Sequence, residues 1–276
     1  MLKKFSCSIF LSFAIWPAAS AQTVRALHLT TIDRIVISAA YFPAAADPAP
    51  AVVLIHDIGQ SRDEWATFAA QLQHSGIACL AIDLRGHGES TRKLTAQGPE
   101  RVDVHDFAPR DFQEMLLDVE AAVDWLDQQP GIDKRRIGLG GSGVGANIAL
   151  RYAAFNEDVA ALLLLSAGIN YRGLRADEPM QKLGPLPMRL VVSQFDAYPY
   201  ESAKRLEEIR HGKDSAKQDP KELIVCSGNL HGTAMLKGVT GLAPLVLDWL
   251  TETLGGTAAT APASPAPQPA PTAPAK

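Results

Sequence analysis

The 276 residues carry 26 basic and 30 acidic side chains for a net charge of −4, and 47% of them are apolar against 20% charged. Those proportions belong to a globular protein and exclude collagen-like repeats, a disordered acidic chain, a strongly basic nucleic-acid binder and a disulfide-stapled miniprotein. The length suffices for one large core.

In chain order, the first element is a leader. Lys3 and Lys4 precede an apolar run from Phe5 to Trp16 that is short for a membrane span, and Ala19-Ser20-Ala21 offers small residues for cleavage before Gln22. Residues 1–21 are therefore read as a signal peptide, which makes the protein periplasmic or secreted and leaves no stable membrane span. Cys7 lies too early for lipid attachment. At the far end, residues 255–276 hold six prolines, eight alanines and no acid. Such a segment buries too little apolar surface to offset its ordering entropy and is expected to be a disordered tail. Residues 22–254 form the folded domain.

That domain opens with two alternating runs, VRALHLT and RIVISAAYF, which read as an antiparallel hairpin around Thr31-Ile32-Asp33. The runs AVVLIHD, IACLAIDL, RIGLGG, VAALLLLSAG, MRLVVSQ and ELIVCSG then recur. Strands apolar on both faces belong in a parallel sheet covered by helices. The helical spacing of Trp65, Phe68, Ala69 and Leu72 predicts a helix from Ser61 that ends at Gly76. Further helices are predicted over 111–128, 144–155, 201–210 and 242–254. Residues 91–108 are polar and read as an irregular insertion.

Three motifs carry the chemistry: His56-Asp57-Ile58-Gly59 after the first parallel strand, Asp83-Leu84-Arg85-Gly86-His87-Gly88-Glu89-Ser90 after the second, and GGSGVGANIAL at a strand-to-helix turn. Together, in this order, they resemble the α/β-hydrolase superfamily, in its esterase-like and dienelactone-hydrolase-like branches. The resemblance covers most of residues 24–254. It implies an α/β fold with a mostly parallel twisted sheet of about eight strands flanked by helices. Only about twenty residues separate Gly168 from Met188, so little or no lid is expected.

In that superfamily the turn is a nucleophile elbow, G-x-S-x-G, where strand and helix nearly collide and the flanking residues must be small. With Ser142 at the elbow the flanks would be Gly140 and the β-branched Val144; with Gly143 they are Gly141 and Gly145. Sterics favour Gly143, and the family pattern G-x-S-x-G-A-N-x-A-L then fits Gly141 to Leu150 with one departure, the missing serine. Ser142 stays the alternative nucleophile. By resemblance Asp196 is the acid, His231 the base, and the backbone N–H groups of Ile58 and Val144 the oxyanion hole. His56, His87 and Arg85 read as structural.

The expectation is a degenerate hydrolase that binds a small acyl, ester or carboxylate ligand with weak or no turnover. The alternatives are a working ester hydrolase using Ser142 or a water activated by His231, and an interaction protein whose pocket is idle. A serine placed at 143 is expected to raise esterase activity, every other part of the site being in place. No cofactor and no metal site are expected, since neither metal-ligand spacings nor a phosphate loop occur. Cys79 and Cys226 are expected to be free, because the family's strand order puts them about 20 Å or more apart at roughly 4.8 Å per strand.

Overall fold

A computed structural model describes residues 23–212 and 221–255; the leader and most of the tail lie outside the described residues. The hairpin forms as β1 (Arg25–Thr30) and β2 (Ile35–Phe42), followed by β3 (Ala49–Ile55), α1 (Ala66–His74) and β4 (Ala78–Ile82). Then come β5 (Arg92–Thr95), β6 (Gly98–Arg101), α2 (Pro109–Glu114), α3 (Leu116–Asp127), β7 (Ile132–Ser142) and α4 (Val144–Phe155). After β8 (Val159–Leu165), a small pair β9 (Asn170–Tyr171) and β10 (Leu174–Arg175) leads into α5 (Asp177–Lys182). The remainder is β11 (Met188–Ser193), α6 (Ala197–His211), β12 (Leu223–Cys226), α7 (Ala234–Gly238) and α8 (Leu242–Leu254).

The main sheet has ten strands in the order β12-β11-β8-β7-β3-β4-β2-β5-β6, with β1 also pairing with β2. The six strands from β12 to β4 are parallel, and β2, β5, β6 and β1 add antiparallel edges. The expected eight strands become ten because the insertion at 91–108 is not irregular: it folds into the β5–β6 hairpin and a short 3-10 turn at Val104–Asp106. Its residues, RKLT and GPER, are mostly exposed and show no apolar alternation, so period-two reasoning had nothing to detect. The helix expected over 111–128 is broken at Met115, and α6 begins four residues ahead of its expected start.

Every residue of β3 and β4 is buried, as two-sided burial requires. One core layer lies under α3 and α4 and contains Val53, Ile55, Met115, Leu126 and Leu139. The other lies under α1 and α8 and contains Leu54, Trp65, Leu72, Val246 and Leu250. A fully buried side chain of this size contributes about 1.5–3 kcal/mol relative to exposure. Cys79 on β4 and Cys226 on β12 are both free, five strands apart.

The loop after β4 is braced internally. Arg85 and Asp118 are both buried, and the Asp118 carboxylate accepts from the Arg85 backbone N–H at 2.9 Å and from its Nε at 2.8 Å. Arg85 also reaches Asp33 at 2.7 Å, which ties the β1–β2 turn, the β4 loop and α3 together. These contacts are the structural role expected of Arg85.

Candidate active site

The carboxyl ends of β3, β7, β8 and β11 converge on one edge, where ligands gather in open α/β sheets. At the end of β7, Gly143 turns the chain into α4 with φ 52° and ψ −114°, a left-handed conformation that glycine adopts without strain. A Cβ on Gly141 would overlap the Gly145 backbone, and one on Gly145 would overlap the backbone of Ile55 and His56. Helix and strand thus touch at these two glycines, the contact that the register centred on Gly143 requires.

Ser142 points elsewhere. It is 1% exposed, and its Oγ lies against Gly232, where an added Cβ would overlap it. The ring nitrogens of His231 bond to two carboxylates and not to this hydroxyl: Nδ1 lies 2.6 Å from Asp196 Oδ2 and Nε2 lies 3.3 Å from Asp57 Oδ2. Asp196 sits directly after β11, at the start of α6, and His231 follows β12. The structure therefore joins Asp196 to His231 and leaves Ser142 out of that pair.

Asp57 is the residue whose role sequence reasoning missed. Its Oδ1 accepts the Ile58 N–H at 2.7 Å and the Val144 N–H at 2.8 Å, the two donors assigned to the oxyanion hole. A Cβ added to Gly143 would overlap this same carboxylate. The side chain thus fills both the hole and the room that a nucleophile at 143 would need. The expectation that every other part of the site stands ready for a serine is corrected accordingly: Ile58 and Val144 are engaged by the protein's own carboxylate. The available signal was an acidic side chain directly after His56, in the loop that borders the elbow.

The arrangement is well supported. Glu64 Oε1 accepts the Asp57 N–H at 3.0 Å, and its Oε2 accepts the Thr233 hydroxyl at 3.2 Å, which links the Asp57 and His231 loops. Burial pushes the Glu64 carboxyl up to about 7. His56 is fully buried, with Nε2 accepting the Leu84 N–H at 2.9 Å and Nδ1 donating to the Asp57 carbonyl at 2.6 Å. Burial holds it neutral by lowering its pKa to about 3, so it braces the loop. The Gly232 N–H donates to Ser166 Oγ at 2.9 Å and steadies the turn after His231. Beside Ile58 a cleft of about 370 Å³ opens, lined also by Phe107, Phe112, His105 and Arg172.

Hydrogen bonding to Asp57, then to Asp196, raises the His231 pKa from its usual 6.5 to about 9, against the opposing effect of burial. The imidazole is therefore cationic at neutral pH, between two carboxylates. Because the folded-state value is raised, the stability from this cluster is fully present below about 6.5 and is lost as pH rises through about 9. An NMR titration of His231 should give a midpoint near 9, falling toward 6.5 in Asp57→Asn. An unchanged midpoint in that variant would separate the two side chains.

The sequence profile of the Hydrolase_4 family, described as serine aminopeptidase, S33, matches residues 46–234, more than half of the chain. The chain belongs to this family and to the α/β-hydrolase superfamily. It is 28% identical to the polyketide transferase grgF of a Penicillium species over 148 residues, 53% of this chain and 46% of that protein. It is 29% identical to the thiohydrolase aneE of Aspergillus aculeatus over 143 residues, 51% of this chain and 41% of that one. The chain thus spans under half the length of these curated relatives. Among solved structures, GrgF from Penicillium superposes with a TM-score of 0.67 at 18% identity, covering 85% of this chain and 100% of that one. The Pyrococcus furiosus esterase PF2001 gives 0.64 at 17%, covering 84% and 92%. At these identities the structural likeness speaks for the fold alone.

Proposed function

We propose that this chain is an exported α/β-hydrolase-fold protein in which Gly143 replaces the nucleophilic serine, so that acyl-serine chemistry is lost while the Asp196–His231 pair is kept. The observation that carries this reading is the Asp57 carboxylate lying in the space a side chain at 143 would occupy. The names of the relatives, a thiohydrolase and a polyketide transferase, suggest acyl-bearing ligands. For such a ligand to use the Ile58 and Val144 donors it must displace Asp57. Hydrogen bonds to a charged group are worth about 1.5–3 kcal/mol each, against about 0.5–1.5 for a neutral carbonyl, so the carboxylate wins. Carboxylic esters are therefore weak ligands of the native site, with slow turnover or none. Export rests on the leader-like run at 1–21.

The test is a fluorophosphonate probe applied to the full chain, alongside hydrolysis of p-nitrophenyl acetate. No labelling is expected, and Ser142→Ala should leave the slow background rate unchanged. Stoichiometric labelling that disappears in Ser142→Ala would overturn the reading.

A further inference from the structure

We infer that the cleft beside Ile58 is a second binding site, separate from the His231 cluster, and that it takes a medium-chain carboxylate whose head pairs with Arg172. Neither Asp57 nor His231 lines this cleft, so its occupancy does not depend on which residue holds the elbow. Its walls use parts of the chain that the His231 cluster leaves idle. The insertion at 91–108 supplies Val104, His105 and Phe107, α2 supplies Phe112, and the turn between β9 and β10 supplies Arg172.

The apolar side of the cleft is built in advance. The Phe107 and Phe112 rings meet edge to face at 5.6 Å, and Phe112 is buried. Val104 and Phe107 press on the loop after β4, where a Cβ added to Gly86 would overlap the Val104 backbone. A wall held in this way needs no ordering when a ligand arrives, so little affinity is spent on it.

The polar side is a cation without a counter-charge. Arg172 makes no hydrogen bond or ion pair with its side chain among the described residues, and no acidic residue lines the cleft. The surrounding acids are engaged elsewhere: Asp103 accepts from Arg101 at 2.7 Å, Asp111 from the Ala108 N–H at 2.8 Å and Glu114 from Arg110 at 2.9 Å. Nearby Arg175 is likewise held by Asp177 at 3.0 Å. Arg172 sits at its turn with φ 52°, a conformation uncommon outside glycine. The turn is pinned on both sides. The Gly173 carbonyl accepts from Gln113 Nε2 at 2.9 Å, and the Tyr198 hydroxyl bonds both the N–H and the carbonyl of Asn170 at 2.9 Å.

These features select the ligand. A planar guanidinium fork matches a carboxylate in two parallel hydrogen bonds, and one cation balances one negative charge. His105, on the same rim, can donate another. The aromatic wall then receives an alkyl body, and about 370 Å³ lies at the low end of the range of about 300–1,000 Å³ usual for small-molecule pockets. A neutral alcohol of the same length would use the wall but not the cation.

Binding to the full chain is measured by calorimetry, with sodium octanoate, sodium butyrate and octan-1-ol as probes. Octanoate is expected to bind at least about tenfold more tightly than octanol. Affinity should climb by up to about fourfold per methylene from butyrate to octanoate. Arg172→Gln should weaken octanoate about ten- to hundredfold and leave octanol unchanged. Arg172 is exposed, so this exchange does not touch the core. In NMR spectra, added octanoate should shift the Ile58, Gly59 and Arg172 amides and spare the His231 ring. No octanoate binding at millimolar concentration, equal affinity for octanoate and octanol, no loss in Arg172→Gln, or shifts centred on His231 and Val144 each overturns the inference. The fluorophosphonate probe reads the elbow alone, so failure here leaves the proposed function standing, and labelling of Ser142 there leaves this cleft standing.

Discussion

A protein carrying both Asp57→Gly and Gly143→Ser is expected to hydrolyse p-nitrophenyl acetate about a hundredfold faster than the native chain, or more, with neither exchange alone reproducing the gain. The reason is that two positions share one space. With Gly143→Ser alone, the new side chain overlaps the Asp57 carboxylate, which must leave the Ile58 and Val144 donors to make room. With Asp57→Gly alone, the hole empties but nothing attacks. Only the pair of exchanges supplies a hydroxyl near His231 Nε2 and a free oxyanion hole together. Initial rates of the four proteins, compared at equal folded concentration, form a double-mutant cycle whose coupling should be large and favourable. Additive effects would show that the carboxylate does not control the site.

The second large effect concerns stability. Arg85→Met is expected to destabilise the fold by about 3–5 kcal/mol at pH 7, because it strands the buried Asp118 carboxylate without its cation. Asp118 is 0% exposed and Arg85 3%, so water cannot replace the lost partner. Burial already raises the Asp118 carboxyl to about 6 with the guanidinium present, and removing the cation moves it higher. At pH 5 the variant can therefore bury a neutral acid, and the deficit should shrink. Urea unfolding at the two pH values checks this; an equal deficit at both would mean that lost packing, not stranded charge, is responsible.

Much of the fold could be read from residues alone. The two-sided apolar runs placed β3, β4, β7, β8 and β11 because parallel strands buried on both faces leave that signature. The 144–155 and 242–254 helices matched their expected limits because the end of each is marked by a local signal. The β5–β6 hairpin escaped because exposed polar strands carry no pattern, and the Met115 break escaped because apolar spacing runs through it.

The site divides the same way. Gly143 could be picked as the bend residue from steric reasoning on Gly141, Gly145 and Val144, all local to the turn. Asp196 and His231 were named through the family resemblance, and the structure places them 2.6 Å apart. Asp57 was not recognisable, since its role depends on the Val144 N–H, 87 positions away in the chain, and on which way a short side chain turns. No periodicity or spacing encodes that meeting. It emerges only when the ends of β3 and β7 lie side by side.

The bend between β7 and α4 keeps its shape with no hydroxyl to display. Its curvature is imposed by backbone crowding at Gly141 and Gly145, so the shape of the turn is independent of the side chain presented at its tip. A side chain from a neighbouring loop can then occupy the same point in space, as the Asp57 carboxylate does, without any change in the turn itself.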